Sequence, residues 1–269
     1  MPASRTFHDA NPMLPADCHD IAGGAFSAND LRRLEHAIRA ARQASTTMPA
    51  ELLELSTGRG DAAIAVTDAH CGFDHCAVLL FPRTLDAGLH DLERLGFEPL
   101  PLVPSTVVRR RVSERYGLEP DDCGIHLTRL RADMPDGRRR TAVEVFLFPK
   151  DSNGYAPRIE DSEIAHEFEQ HTAFKVTGPS ALVLAELVAA WRRGAGLLWE
   201  GGGHNPHEGE QGSTVLYFVR DHAHPARRRR FELHCAGDLR ACTDRLDMEI
   251  DAVNRAYAAW RPAVADHLG

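Results

Sequence analysis

Short apolar and β-branched runs alternate with amphipathic segments along the chain, and their order occurs twice. In the first half the pattern predicts strands at 73–81, 123–132 and 141–148, with a helix at 84–97. In the second half it predicts a strand at 171–176, a helix at 180–194, and strands at 214–221 and 228–235. The chain therefore contains two similar modules, at about 71–149 and 165–236, each with a strand, a helix and further strands.

Helical patterns also lie before the first module. Residues 1–22 are polar and lack periodicity, Ser27 is predicted to cap a helix, and Pro49 is predicted to start a second, shorter one. We therefore expect an N-terminal arm and helical appendage over 1–65 and a main domain over 66–269.

The C-terminal pattern predicts one long amphipathic helix at 238–260. An amphipathic helix needs a surface to cover, so we expect the apolar faces of the first and last helices to be buried. These faces carry Leu31, Leu34, Ile38, Leu246, Ile250 and Val253.

Two connections are also predicted. Asp136-Gly137 is expected to form the turn of a hairpin between two strands of the first module. The glycine-rich segment 201–212 reads as a long loop, and such loops are usually functional or mobile.

Composition narrows the class of protein. The 269 residues are 43% hydrophobic and 26% charged, which is typical of a globular protein with a sizeable core. A formal charge of −8 argues against dedicated binding to nucleic acid or to an anionic membrane. The six cysteines form no CxxC pair, and neither a signal-like run nor an apolar stretch of membrane-spanning length is present. We therefore expect reduced thiols and a cytoplasmic location.

The residues that could carry chemistry occupy matching places in the two modules. Each module opens with a strand that bears a histidine near its start, His75 or His171, and closes with a strand that bears a central glutamate, Glu144 or Glu232. Glu144 stands between two valines, and burying an unpaired carboxylate is costly. A metal ion is one partner that would compensate it.

These four strands resemble the vicinal oxygen chelate superfamily, which includes glyoxalase I, extradiol dioxygenases and fosfomycin-resistance proteins. The resemblance covers about 71–236 and rests on the segments FDHCAVLL, TAVEVFLF, HTAFKV and RRFELHC in that order. It implies an α+β fold in which paired βαβββ modules form a curved-sheet cup, with extra helices at both ends.

The resemblance also implies that His75, His171 and Glu232 bind one divalent metal. Two imidazoles and one carboxylate leave open positions for substrate and dioxygen, so the preferred expectation is an Fe(II) dioxygenase acting on a small, metal-chelating, oxygenated substrate. With Glu144 as a fourth ligand the set instead resembles a glyoxalase-type isomerase or lyase that uses nickel, zinc or manganese. A non-catalytic protein that sequesters a ligand is the third possibility.

Other roles stay open for several of these residues. Glu232 and Glu144 could form salt bridges with nearby arginines, and Glu144 could act as a catalytic base beside the metal. His204 and His207, in the predicted loop, are candidates for substrate binding. We expect a small-molecule substrate, no nucleic-acid or membrane partner, and a possible homodimer.

Overall fold

In the computed structural model, which describes residues 24–55, 61–220, 230–243, 246 and 249–259, eight strands form one curled mixed sheet. The strands are β1 (Cys71–Leu80), β2 (Val103–Pro104), β3 (His126–Asp133), β4 (Arg139–Leu147), β5 (His171–Val176), β6 (Leu197–Asn205), β7 (Ser213–Arg220) and β8 (Arg230–Ala236). The helices are α1 (Ala28–Ala44), α2 (Pro49–Leu52), α3 (Asp61–His70), α4 (Leu85–Arg94), α5 (Thr106–Tyr116), α6 (Pro157–His166), α7 (Ala181–Gly194), α8 (Arg240–Thr243) and α9 (Ile250–Ala259).

The sheet order confirms the two predicted modules. The order is β2-β3-β4-β1-β5-β8-β7-β6, so each half reads the same from the centre outwards. β1 pairs in parallel with β4, β5 pairs in parallel with β8, and the two modules join through antiparallel pairing of β1 with β5. Each module is therefore a βαβββ unit whose first and last strands lie at the middle of the sheet.

The outer face of the sheet is covered by helices. Side chains of α1 share one buried core with β1 and β4, and side chains of α7 share another with β5, β7 and β8. The opposite face carries the polar residues described below, because side chains alternate between the two faces of a strand.

Local sequence signals set several boundaries as predicted. Ser27 and Asp30 form a reciprocal capping box at the start of α1, and the Ser180 hydroxyl accepts the Val183 N–H at the start of α7. Gly137 adopts a left-handed φ of 75° in the turn between β3 and β4. The predicted hairpin is therefore confirmed.

The C-terminal segment differs from the predicted single helix over 238–260. Among the described residues it contains two short helices, α8 and α9, with Leu246 and Glu249 outside both. The Glu249 N–H instead donates to the Trp199 carbonyl of β6 at 3.4 Å, and its carboxylate accepts the Trp199 N–H at 3.0 Å. The backbone bond to the sheet takes the N–H that a continuous helix would use. Of the apolar residues expected to be buried here, Val253 is 8% exposed, Leu246 is half-buried, and Ile250 is 57% exposed.

The segment 201–212 also differs from the prediction. Its first five residues continue β6, which pairs with β7 through Asn205, so only 206–212 form a loop. Glycines weaken the strand pattern, but at Gly202 an added Cβ would lie 2.3 Å from the Val215 carbonyl oxygen. Close approach of the two strands therefore explains glycine at this position.

The predictions for the N-terminal region concern its arm, its boundary and its first helix. The arm over 1–22 lies outside the described residues, and the boundary between 1–65 and 66–269 stays a prediction. Leu31, Leu34 and Ile38 are buried as expected, against β1 and β4 of the first module. No described helix has both the length and the apolar character needed to span a membrane.

Leu34→Ala should lower the free energy of unfolding by about 2–5 kcal/mol, because Leu34 is fully buried between α1 and the sheet. Leu182→Ala is the matched control, since Leu182 is 69% exposed on α7 and its loss should cost no more than about 0.5 kcal/mol. Chemical denaturation measures both. Equal stability of the two variants would show that α1 does not contribute to the core of the sheet.

Candidate metal centre

Three of the predicted residues meet on the inner face of the sheet. His75 on β1, His171 on β5 and Glu144 on β4 each offer one ligand atom, and these atoms lie within 4.8 Å of one another. Both histidines are 0% exposed and Glu144 is 4% exposed. The three strands are neighbours, so residues 96 positions apart in sequence (75 and 171) lie side by side.

Glu232, the fourth predicted residue, lies on β8 beside His171 but is not one of the three residues whose ligand atoms all lie within 4.8 Å of one another. Its Oε2 lies 2.9 Å from His171 Nε2, while Glu144 Oε2 lies 3.5 Å from His75 Nε2. Each imidazole therefore faces one carboxylate. We use the name four-residue cluster for His75, Glu144, His171 and Glu232.

Two alanines make room for the four-residue cluster. Ala77 of β1 pairs with both His171 and Glu144, and Ala173 of β5 pairs with both His75 and Glu232. Both alanines are fully buried. Because directly paired residues share a face, each alanine lies between two cluster residues whose longer side chains extend past its methyl group.

The far nitrogen of each imidazole is held by a hydrogen-bond acceptor. His75 Nδ1 lies 3.0 Å from Asp74 Oδ2, and His171 Nδ1 lies 2.7 Å from the Glu169 carbonyl oxygen. An acceptor at Nδ1 favours the tautomer with its proton there, which leaves Nε2 as the electron-pair donor. Both Nε2 atoms face the carboxylates, as a metal site requires.

Asp74 reaches the inner face because of an irregularity in β1. The register between β1 and β5 shifts between Phe73 and His75, so two consecutive residues point inwards. Strict alternation would have placed Asp74 on the opposite face from His75.

The donor set fits a divalent cation. His75 Nε2 is buried and makes no hydrogen bond, and its 3.5 Å separation from Glu144 Oε2 suits two ligands of one ion. Ligands at about 2.1 Å from an ion lie about 3.0–3.4 Å apart in octahedral or tetrahedral geometry. Imidazole nitrogen with carboxylate oxygen is a set used by zinc, nickel, manganese and iron.

Charge also favours a cation at this place. Burial alone would raise the pKa of Glu232, but the adjacent His171 imidazole lowers it to about 2. Burial would likewise lower the pKa of His171, whereas the Glu232 carboxylate raises it above its ordinary value. A metal ion bound between the pair would take the place of the proton that holds them together.

A second layer of ionic contacts surrounds the four-residue cluster. Arg129 on β3 donates from Nε to Glu144 Oε1 at 3.0 Å and lies 3.4 Å from Asp74 through Nη1. His234 on β8 lies 3.0 Å from Asp74 through Nδ1 and 3.3 Å from Glu208 through Nε2. Burial disfavours the charged imidazole of His234, but hydrogen bonds to Asp74 and Glu208 raise its pKa to about 10.

Sequence reasoning did not assign these residues, although some of the signal was present. His234 shares the face of Glu232 by alternation, and Arg129 occupies the position that pairs with Glu144 in the hairpin. Asp74 had no such signal, because its orientation depends on the irregularity in β1.

Behind His171 lies a buried group of arginines and glutamates. Arg230 donates from Nε to Glu200 at 2.7 Å and its guanidinium lies 3.9 Å from the centre of the Tyr217 ring. Arg115 donates to the Glu169 carboxylate at 2.9 Å. These contacts fix Glu169, whose carbonyl oxygen holds the His171 ring.

A cavity of about 540 Å³ opens beside the second layer. His207 lines it, and a role for His207 in substrate binding stays a prediction. His204 pairs with Thr214, and its ring lies 3.4 Å from that hydroxyl. A role for His204 in substrate binding likewise stays a prediction. A larger cavity of about 930 Å³ lies between α7 and the C-terminal segment. No residue of the four-residue cluster lines either cavity, but Arg129 and His234, which surround the cluster, line the smaller one.

No protein-family model and no curated protein matches the chain. Solved structures similar to it include a variant of methylmalonyl-CoA epimerase from Streptomyces coelicolor in complex with 2-nitronate-propionyl-CoA. The identity is 18% over 61% of this chain and 93% of that chain, with a TM-score of 0.31.

Two further solved structures are a mutant of 4-hydroxymandelate synthase from Streptomyces coelicolor and a mutant of glyoxalase I from Zea mays. The first is 12% identical over 72% of this chain and 53% of that chain, with a TM-score of 0.34. The second is 13% identical over 60% of this chain and 46% of that chain, with a TM-score of 0.18. The chain thus spans about half the length of these two proteins. All three named proteins belong to the vicinal oxygen chelate superfamily.

The sheet of this chain has the architecture expected from the sequence, because each module has the order βαβββ and both modules form one continuous curled sheet.

Asp74→Asn should weaken the binding of a divalent metal about 10- to 100-fold, because an amide orients the His75 ring less strongly than a carboxylate does. Competition between the protein and a chromophoric chelator for zinc or cobalt measures the affinity. Asp86→Asn, on the exposed surface of α4, should leave it unchanged. The same affinity in both variants would contradict an orienting role for Asp74.

Proposed function

We propose that this protein is a metal-dependent enzyme that moves a proton on a small, chelating, oxygenated substrate, as an isomerase, epimerase or lyase. The observation that carries this proposal is the position of Glu144. Its carboxylate oxygen and the ring nitrogens of His75 and His171 lie within 4.8 Å of one another. Glu232, at 2.9 Å from His171 Nε2, completes a set of two nitrogens and two oxygens.

The number of protein ligands favours chemistry without oxygen. Four protein ligands leave two positions on an octahedral ion, and a substrate that chelates through two oxygens fills both. Dioxygen would need a third position. The four-residue cluster therefore supports non-oxidative chemistry, with zinc, nickel or manganese as the ion.

The cluster, Arg129 and Glu144 would have different roles in the reaction. A divalent ion held by the four-residue cluster would polarise a substrate carbonyl and acidify the adjacent C–H bond. Arg129 holds Glu144 by Oε1, which leaves Oε2 facing the cluster as the ligand atom. On leaving the ion, Oε2 would be free to accept a proton from that carbon. The cavity of about 540 Å³ would admit the substrate from the side of Arg129 and His234.

An Fe(II) dioxygenase is the second candidate, and one contact favours it. The 3.0 Å hydrogen bond from Arg129 to Glu144 Oε1 could keep Glu144 back from the ion. His75, His171 and Glu232 would then form a set of two histidines and one carboxylate with three open positions. Dimerisation and the cytoplasmic location stay predictions.

Glu144→Gln separates the two candidates. If Glu144 is a ligand, the variant should lose most of its zinc, nickel or manganese, because a neutral amide is a poorer ligand than a carboxylate. If Glu144 does not bind the ion, the variant should retain iron and lose only turnover. Elemental analysis after anaerobic purification, combined with an oxygen electrode, measures metal content and oxygen uptake.

Glu186→Gln, on the exposed surface of α7, serves as the matched control and should keep full metal content. Retained iron in Glu144→Gln, with substrate-dependent oxygen uptake by the wild-type protein, would overturn the non-oxidative proposal. Ligand binding that is unaffected by a chelator would instead support a sequestering protein.

A further inference from the structure

The loop between β6 and β7 places a carboxylate of the protein itself in the candidate substrate cavity. Glu208 Oε1 accepts a hydrogen bond from Arg129 Nη2 at 2.7 Å, and its Oε2 accepts one from the Ser213 hydroxyl at 2.5 Å. His234 Nε2 lies 3.3 Å from Oε1. Two hydrogen-bond donors and the His234 imidazole thus surround one carboxylate at the cavity wall.

The residues that contact Glu208 lie on strands, whereas Glu208 itself lies on a loop. Arg129, Ser213 and His234 lie on β3, β7 and β8, whereas Glu208 lies on the loop 206–212. Glu208 is half-buried, and most other residues of this loop are exposed. Gly212 is tied to Gly237 by a backbone hydrogen bond of 2.9 Å. Residues 206–211 could move away without breaking any strand pairing, and Arg129, Ser213 and His234 would stay in place.

The charge of this subsite calls for an anion. Glu208 is 17% exposed, and Arg129 and His234 face it with side chains that are 17% and 13% exposed. Removing Glu208 alone would deprive Arg129 of one of its carboxylate partners in a poorly hydrated place, which is costly. A second carboxylate in the same position would keep both the charge and the hydrogen bonds.

We infer that the substrate carries a carboxylate that replaces Glu208 between Arg129, Ser213 and His234, so that Glu208 occupies the anionic subsite while the cavity is empty. The identification of this ligand as the substrate rests on the proposed function. Glu208 therefore competes with the substrate carboxylate for the same three residues.

Arg129 also limits the distance between the carboxylate of the substrate and its chelating oxygens. One guanidinium contacts Glu144 through Nε and Glu208 through Nη2, so the anionic subsite lies one guanidinium away from the four-residue cluster. A substrate that reaches both must carry its carboxylate only a few bonds from its chelating oxygens. Leu100, Pro101 and Val103 provide an apolar wall for the rest of the molecule. The substrate class is therefore a small oxo or hydroxy acid.

Calorimetric titration of the metal-free protein with malonate, in the presence of a chelator, tests the subsite without any catalytic step. Glu208→Gln should bind malonate about tenfold more tightly than the wild type, because the competing carboxylate has lost its charge. Glu186→Gln, on the exposed surface of α7 and away from the cavity, should bind as the wild type does. Malonamide, which has the shape of malonate without its charge, should not bind to any of them.

Glu208→Ala is a second variant, which removes the side chain altogether and should also bind malonate more tightly. Circular dichroism and thermal melting establish that each variant is folded. Equal malonate affinity in the wild type and both Glu208 variants, or equal binding of malonamide, would overturn the subsite. A protein that binds malonate as expected but never binds a metal would keep the subsite and overturn the proposed function instead.

Discussion

Two buried imidazoles each facing a buried carboxylate are the constraint on which the rest of this structure depends. Taking four ionisable groups out of water is expensive unless each finds a partner of opposite charge or a metal ion. The pairs His171–Glu232 and His75–Glu144, at 2.9 and 3.5 Å, lie on four adjacent strands. The pairing of β1 with β5 at the centre of the sheet is what brings the two modules' histidines together.

The surrounding ionic contacts follow from that constraint. Asp74 and the Glu169 carbonyl hold the imidazoles by Nδ1, and Arg129 holds Glu144 by one oxygen. Each of these groups is in turn held by a further partner, such as His234 for Asp74 and Arg115 for Glu169. A network of this kind fixes the direction of every Nε2 and carboxylate oxygen before any ligand arrives.

Much of the fold could be predicted from the sequence, because the modules are short and strongly patterned. The strand at 171–176 matches β5, and the helix predicted at 180–194 differs from α7 by one residue at its start. The secondary structure predicted from the hydrophobic pattern was wrong where tertiary contacts determine the local structure. Glu249 leaves the predicted C-terminal helix to bond with β6. The helix α5 has only Val108 and Val112 as its apolar stripe, because Arg111 and Arg115 turn inwards to pair with Glu169.

The site could be predicted only in part for the same physical reason. His75, His171, Glu144 and Glu232 occupy regular positions in their strands, so alternation places them on one face. Asp74 depends on a register shift, and Glu208 depends on the path of a loop, neither of which hydrophobic periodicity describes.

X-ray absorption spectroscopy at the metal edge of the zinc-loaded protein tests whether His75 and His171 bind the ion. We expect one ion per chain with two imidazole ligands and carboxylate oxygens at about 2.0–2.2 Å, and no sulfur bound to the ion. Zinc bound through sulfur at about 2.3 Å, or a spectrum without imidazole scattering, would contradict the assignment of His75 and His171 as ligands.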